Sequence, residues 1–169
     1  MGMDIRLARI DDRLIHGQVA TVWSKQTAIN RILVVSDEVA ADPLRRFLLR
    51  EAAPPGITVN VLTVEKMIQL FFSNLLANEK VMLLFTRPQD VAALVRKGVT
   101  LTSVNIGGMR FIAGKRMITN FISLDEADIQ TFYYLANQGI ILDVRKVPSD
   151  RQVNLIELLD KDKTKSSLQ

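Results

Sequence analysis

The stretch KVMLLFTRPQDVAALVRKG, residues 80–98, decides the fold. Val81 to Phe85 form an unbroken apolar run, short and bounded by turn signals, as expected of a strand covered on both faces. Pro88 then suits the first turn of a helix, where a missing N–H costs nothing. Val91, Leu94 and Val95 recur on one side, and Gly98 is placed to end the helix. Working outward, similar apolar runs recur: IRLARI at 5–10, RILVVS at 31–36, ITVNVLT at 57–63, SVNIGG at 103–108 and IILDVRKV at 140–147. Helical stripes lie between most of them. Val19, Val22 and Trp23 share one face. Asp42-Pro43 opens a stripe of Leu44, Phe47 and Leu48 that stops at APPG, and Met67, Ile68, Phe71, Phe72 and Leu75 form another. Ser123 and Glu126 fit a capping box ahead of Ile129, Phe132, Tyr133 and Ala136, with Gly139 as the stop.

Strand and helix alternating at this spacing predict a single α/β domain over residues 1–169. Its central sheet should be mostly parallel, with about six or seven strands and helices on both faces, because right-handed crossovers place them there. Residues 109–122, MRFIAGKRMITNFI, show no helical stripe, and Ala113-Gly114-Lys115 suits a turn, so a small antiparallel addition is expected. DKDKTKSSLQ, residues 160–169, alternates charge and then turns polar, which reads as a solvated, fraying tail.

Composition narrows the function. The chain has 169 residues, 48% of them hydrophobic, enough for one substantial core. Cysteine is absent, which excludes disulfides and thiolate catalysis and fits a reducing compartment. The opening MGMDIRLARIDD lacks the blocks of a secretory signal, charges interrupt every long apolar run, and Arg6 stands where a myristoylation signature needs Ser or Thr. A cytoplasmic protein is expected. With 22 basic and 18 acidic residues the net charge is +4, which favours an anionic partner. Only 6% of residues are aromatic and no stretch interleaves Lys or Arg with exposed-looking aromatics as single-strand binders do, so nucleic acid is supported by charge alone.

The only histidine, His16, lies in RIDDRLIHGQVATVW, residues 9–23, directly after the first strand. In open parallel sheets ligands gather beyond the carboxyl ends of strands, where helix N-termini offer unpaired N–H groups to an anion. A helix beginning near Gly17 or Gln18 puts His16 at such an end. Arg13 can clasp phosphate oxygens with charge-assisted bonds worth about 1.5–3 kcal/mol each. Asp11 or Asp12 can accept from one imidazole nitrogen and leave the other free to attack, and Gly17 gives a donor room. These parts suit phosphoryl transfer through a phosphohistidine. The same residues also describe an ordinary solvated connector, or a non-catalytic module binding a small anion or nucleotide. A zinc site lacks its second imidazole or thiolate, and no nucleotide-binding glycine motif is present, so neither metal nor other cofactor is expected.

ARIDDRLIHGQVATVWSK, followed in order by VVSDEVAAD, AAPPG, VMLLFT, NIGGM and VRKV, closely resembles the IIB components of the mannose/fructose/sorbose family of the bacterial sugar phosphotransferase system. The match runs from about Asp4 to Leu159 and is most specific around RLIHGQV. The resemblance implies an α/β sheet and a protein-Nπ-phosphohistidine–sugar phosphotransferase. His16 would take a phosphoryl group at Nδ1 from the phosphohistidine of a IIA protein or domain, then pass it to sugar held by membrane IIC and IID partners. Arg13 would steady the phosphate. It also leaves room for a homo-oligomer.

Further residues fall on the same sheet edge. Ser36-Asp37 and Thr86 end strands two and four, where they would touch phosphate or partner, or cap the helices that follow. Gly107-Gly108 either lets backbone approach a phosphate or turns the chain. Trp23 is read mainly as core. Arg9, Arg13 and Arg6 are candidates for a basic rim that draws in an acidic partner, although Arg6 and Arg9 need not share a face.

Overall fold

The computed structural model describes residues 3–167. In chain order the elements are β1 (Asp4–Asp11), α1 (Gly17–Thr27), β2 (Arg31–Val35), α2 (Asp37–Ala40), α3 (Pro43–Glu51), β3 (Thr58–Leu62), α4 (Val64–Phe71) and β4 (Lys80–Phe85). There follow α5 (Pro88–Arg96), β5 (Ser103–Gly108), β6 (Arg116–Thr119), β7 (Ile122–Leu124), α6 (Glu126–Asn137), β8 (Ile141–Val144), β9 (Val153–Asn154) and α7 (Leu155–Ser167). Seven strands make one sheet in the order β3-β2-β4-β1-β5-β8-β9. All its pairings are parallel except that of the short edge strand β9 with β8. The strands β6 and β7 form a separate antiparallel pair. The expected α/β architecture, with its small antiparallel addition, is therefore present.

Alternation along the strands divides the interior into two cores. Ala8 and Ile10 of β1, Leu33 and Val35 of β2, Leu83 and Phe85 of β4, and Val104 and Ile106 of β5 face one side, under α5, α6 and α7. Ile32 and Val34 of β2 with Met82 and Leu84 of β4 face the other, where Trp23, Val39 and Leu49 cover them. Each large side chain fully removed from water there contributes about 1.5–3 kcal/mol. The register pairs Ile10 with Phe85 on one side and with Ile106 on the other, so β1 is central and its carboxyl end emerges among neighbouring loops.

Several local expectations shift. In α1 the inward residues are Ala20, Trp23 and Ser24, and Val22 faces solvent. In α3 only Leu49 is buried; Leu44, Phe47 and Leu48 are exposed, although Asp42 caps the helix and Pro43 begins it as read. The α4 helix stops at Phe71, leaving Phe72 and Leu75 outside it and exposed. The capping box belongs to Asp125 and Asp128, which exchange bonds of 2.8 and 3.2 Å, because Ser123 is consumed by β7. The hairpin turns at residues 120–121, and Ala113-Gly114-Lys115 only bends the chain into β6. The expected tail is helix through Ser167: Leu155 and Leu159 plug into the core, Asp160 accepts from the Tyr133 hydroxyl at 2.7 Å, and Asp162 pairs with Arg116 at 2.8 Å.

Candidate functional site

The loop from β1 to α1 is shaped by two buried anchors. Leu14 and Ile15 sink into the α1-side core, while Arg13 on one side of them and His16 on the other remain in reach of solvent. Leu14 holds φ 60°, a left-handed conformation that a branched side chain adopts only under constraint, and its burial supplies the constraint. Gly17 follows at φ 48°, where glycine carries no such penalty. His16 is the extended residue at the N-terminus of α1, and no side chain caps that end.

Asp11, fully buried, is the hub. One carboxylate oxygen, Oδ2, accepts from His16 Nε2 at 2.9 Å and from Arg9 Nη2 at 3.0 Å. The other, Oδ1, accepts from the Arg13 amide at 3.1 Å and from Arg13 Nε at 3.4 Å. Burial alone pushes this carboxyl up. The His16 hydrogen bond, the Arg9 charge and the Arg13 amide outweigh that and hold it below the usual carboxylate range. An ionised carboxylate accepts but does not donate, so Nε2 is the nitrogen that brings a proton to it and Nδ1 is the nitrogen the carboxylate leaves unengaged. Of the two carboxylates the sequence offered, Asp11 orients the ring. Asp12 instead accepts from the Arg110 amide at 2.8 Å, and its own amide donates to the Gly108 carbonyl at 3.1 Å, which ties the loop to the exit of β5.

Beneath Asp11 lies Arg9, which corrects the expected rim. Its side chain is 2% exposed and cannot meet a partner, whereas Arg6 is exposed and paired with Asp4. The guanidinium of Arg9 donates to Asn105 Oδ1 and to the Arg145 carbonyl at 3.2 Å, and lies 5.3 Å from the centre of the Trp23 ring. Trp23 is core, as read, and donates from Nε1 to the Lys146 carbonyl at 2.9 Å. Gly107 and Gly108 sit inside β5 and do not turn the chain. A methyl group on Gly107 would overlap the Arg9 guanidinium, and one on Gly108 would meet Asp11 Oδ1 at 3.1 Å. The glycine pair makes room for the buried charges. Sequence reasoning missed Arg9, Asn105 and Gly107 as one unit; the available signal was a charge within an apolar strand, two positions before Asp11 and hence on its face.

Beside Arg13 opens a groove of about 370 Å³, lined also by Asp12, Gly108, Arg110, Phe111 and Lys146 among others. Gln18 is exposed on the first turn of α1. Ser36 is a helix cap, accepting from the Val39 amide at 3.2 Å, and Asp37 accepts from the Val64 amide at 2.8 Å. Thr86 follows Phe85, the last residue of β4 and the register partner of Ile10, so it lies just past the strand; the N-cap of α5 is Arg87. Among the described residues, no cluster of His, Asp and Glu is placed to hold a metal ion, and no helix is long and apolar enough to cross a membrane.

This geometry has relatives. The chain is 55% identical over 159 residues to the mannose-specific EIIAB component of Escherichia coli strain K12, a match covering 94% of this chain and 49% of that protein. The chain thus spans about half the length of that curated relative. It is 49% identical to the sorbose-specific EIIB component of Klebsiella pneumoniae, covering 94% of this chain and 96% of the other. The crystal structure of the IIBSor domain of the Klebsiella pneumoniae sorbose permease superposes with a TM-score of 0.92 at 48% identity, over 94% of this chain and 98% of that one. The family model described as PTS system sorbose subfamily IIB component matches residues 5–169, and the chain belongs to that family.

Proposed function

We propose that residues 1–169 form one phosphocarrier domain in which His16 takes a phosphoryl group at Nδ1 from the phosphohistidine of a IIA protein or domain. It then delivers the group to sugar bound by membrane IIC and IID partners, working in the cytoplasm against the transporter. The observation that carries this reading is the 2.9 Å bond from His16 Nε2 to a buried carboxylate, which leaves Nδ1 as the nucleophile. The Nδ1 lone pair attacks phosphorus while the donor's P–N bond breaks, its electron pair returning to the donor imidazole. Positive charge then spreads over the His16 ring, and the Nε2–H bond to Asp11 strengthens as it does, so the carboxylate binds the transition state more tightly than the ground state. In the second step a sugar hydroxyl attacks phosphorus, the P–Nδ1 bond breaks, its electrons return to the ring, and the hydroxyl proton leaves to solvent or to a base of the acceptor.

The other predicted residues take supporting parts. Arg13, with its side chain 54% exposed, has guanidinium nitrogens to spare beyond the Nε on Asp11 and can grip the phosphate in transit. The first-turn amides around Gly17 and Gln18 face the same anion with the helix dipole behind them. Incubating the protein with phosphoenolpyruvate, the general phosphotransferase proteins and a IIA partner should add one acid-labile phosphate. His16→Ala should abolish labelling, and equal labelling of that variant would refute the assignment. Arg13→Ala should slow transfer about tenfold or more while far-ultraviolet circular dichroism stays unchanged.

A further inference from the structure

A buried arginine needs a reason. Taking a guanidinium out of water is costly, and a well-packed apolar side chain of similar volume usually serves stability as well or better. Arg9 is nonetheless 2% exposed, and β5 gives up a side chain at Gly107 to seat it. Its contacts are specific: Asp11 Oδ2 at 3.0 Å, the Arg145 carbonyl at 3.2 Å, Asn105 Oδ1, and the face of Trp23. Through the Oδ2 atom of Asp11 it lies two hydrogen bonds from His16, yet it does not touch the ring.

Resting on the reading of His16 as carrier, we propose that Arg9 is a positioning residue that balances the sealed charge of Asp11, so that Asp11 holds His16 through Nε2 without drawing a second proton onto Nδ1. The charges around the carboxylate explain the need. Asp11 is shielded from water, so its negative charge must be met locally. Arg13 approaches from the loop, but its side chain is largely solvated and its Nε stands at 3.4 Å. Arg145 on the far side is committed to Asp143, with Nε and Nη2 both at 2.8 Å from Oδ2. Asp12 points to the Arg110 amide. If Arg9 is removed, only the solvated guanidinium of Arg13 at 3.4 Å still meets that charge, and His16, at 2.9 Å, is the group beside the carboxylate that can gain a positive charge. An imidazolium carries protons on both nitrogens and has no lone pair with which to attack.

His16 is the single histidine, so its ring signals in nitrogen-15 NMR are unambiguous and can be read on the whole chain. In the parent protein at neutral pH the ring should be neutral, with the proton on Nε2. In Arg9→Met it should be doubly protonated at the same pH. Phosphoryl acceptance from IIA should fall about tenfold or more, and the pH profile of transfer should move up by about one unit or more, the lost rate returning as base frees Nδ1. Arg9→Lys keeps the charge and should keep the neutral ring. A folded Arg9→Met with a neutral ring and an unshifted pH profile overturns the proposal even if transfer is slow, because a packing defect alone would do that. A doubly protonated ring in Arg9→Lys overturns it too, and decides the matter if Arg9→Met does not fold. These readouts do not require the carrier assignment, which fails separately if His16→Ala is labelled.

Discussion

The two faces of β1 are built on opposite principles. Ala8 and Ile10 enter the large apolar core, whereas Arg9 and Asp11, alternating with them, enter a buried network of charges and amides. The apolar face earns stability through area removed from water. The polar face gains little of that, since its desolvation penalties offset its Coulomb attractions, and what it supplies is a fixed orientation for one imidazole. A single strand thus carries both the foundation and the instrument, and the central position of β1 makes the first available to the second.

The comparison is broken most severely at Asp11. Asp11→Ala leaves Arg9 as a buried charge without its counter-ion, and should cost about 3–5 kcal/mol in urea denaturation as well as abolishing productive transfer. The double variant Arg9→Met/Asp11→Leu removes both charges together. It should recover most of that stability and none of the transfer. A double variant as unstable as Asp11→Ala would mean that the polar face stabilises the fold after all. On the other face Ile10→Val should lose about 0.5–1.5 kcal/mol and leave the transfer rate near that of the parent.

Acid separates the faces by a smaller margin. Because the Asp11 carboxyl is held below its ordinary range in the folded state, the unfolded chain binds the extra proton first. The stability it contributes is complete above the ordinary carboxylate range and drains away as pH falls toward the lower folded value. Asp90 works the other way: burial raises it, despite the attraction of Arg87, so acid relieves a cost there. Denaturation midpoints measured from neutral pH downward should therefore fall more steeply for the parent than for Arg9→Met/Asp11→Leu, and parallel curves would contradict the assignment of the loss to Asp11.

What the sequence made legible follows from range. The strand and helix alternation, the cap at Asp42 and the stop at Gly98 are written in neighbouring residues, and so is the cluster of Asp11, Arg13 and His16 within one loop. The choice between Asp11 and Asp12 needed the end of β1, since only Asp11 still lies in the strand with its side chain under the loop. The meaning of Gly107 depends on Arg9, far away in the chain, and a charged residue inside a strand reads by default as surface. The last helix escaped for a similar reason. Its alternating charges look solvated, and the anchors that dock it, Leu155 and Leu159, begin before them.

The smallest expected effect tests how the α3 stripe should have been read. Leu44, Phe47 and Leu48 repeat at helical spacing and look like a core face, yet all are exposed, while Leu49 faces inward with Val39 and Val59. The helix packs beside the edge strand β3, where its single inward position, Leu49, suffices. Leu48→Ala should then change stability by no more than about 0.5 kcal/mol, since no cavity forms and alanine favours helix. A loss of about 2 kcal/mol or more would show that the helix packs through the face its sequence advertises, and would move the boundary of the α1-side core outward by one helical position.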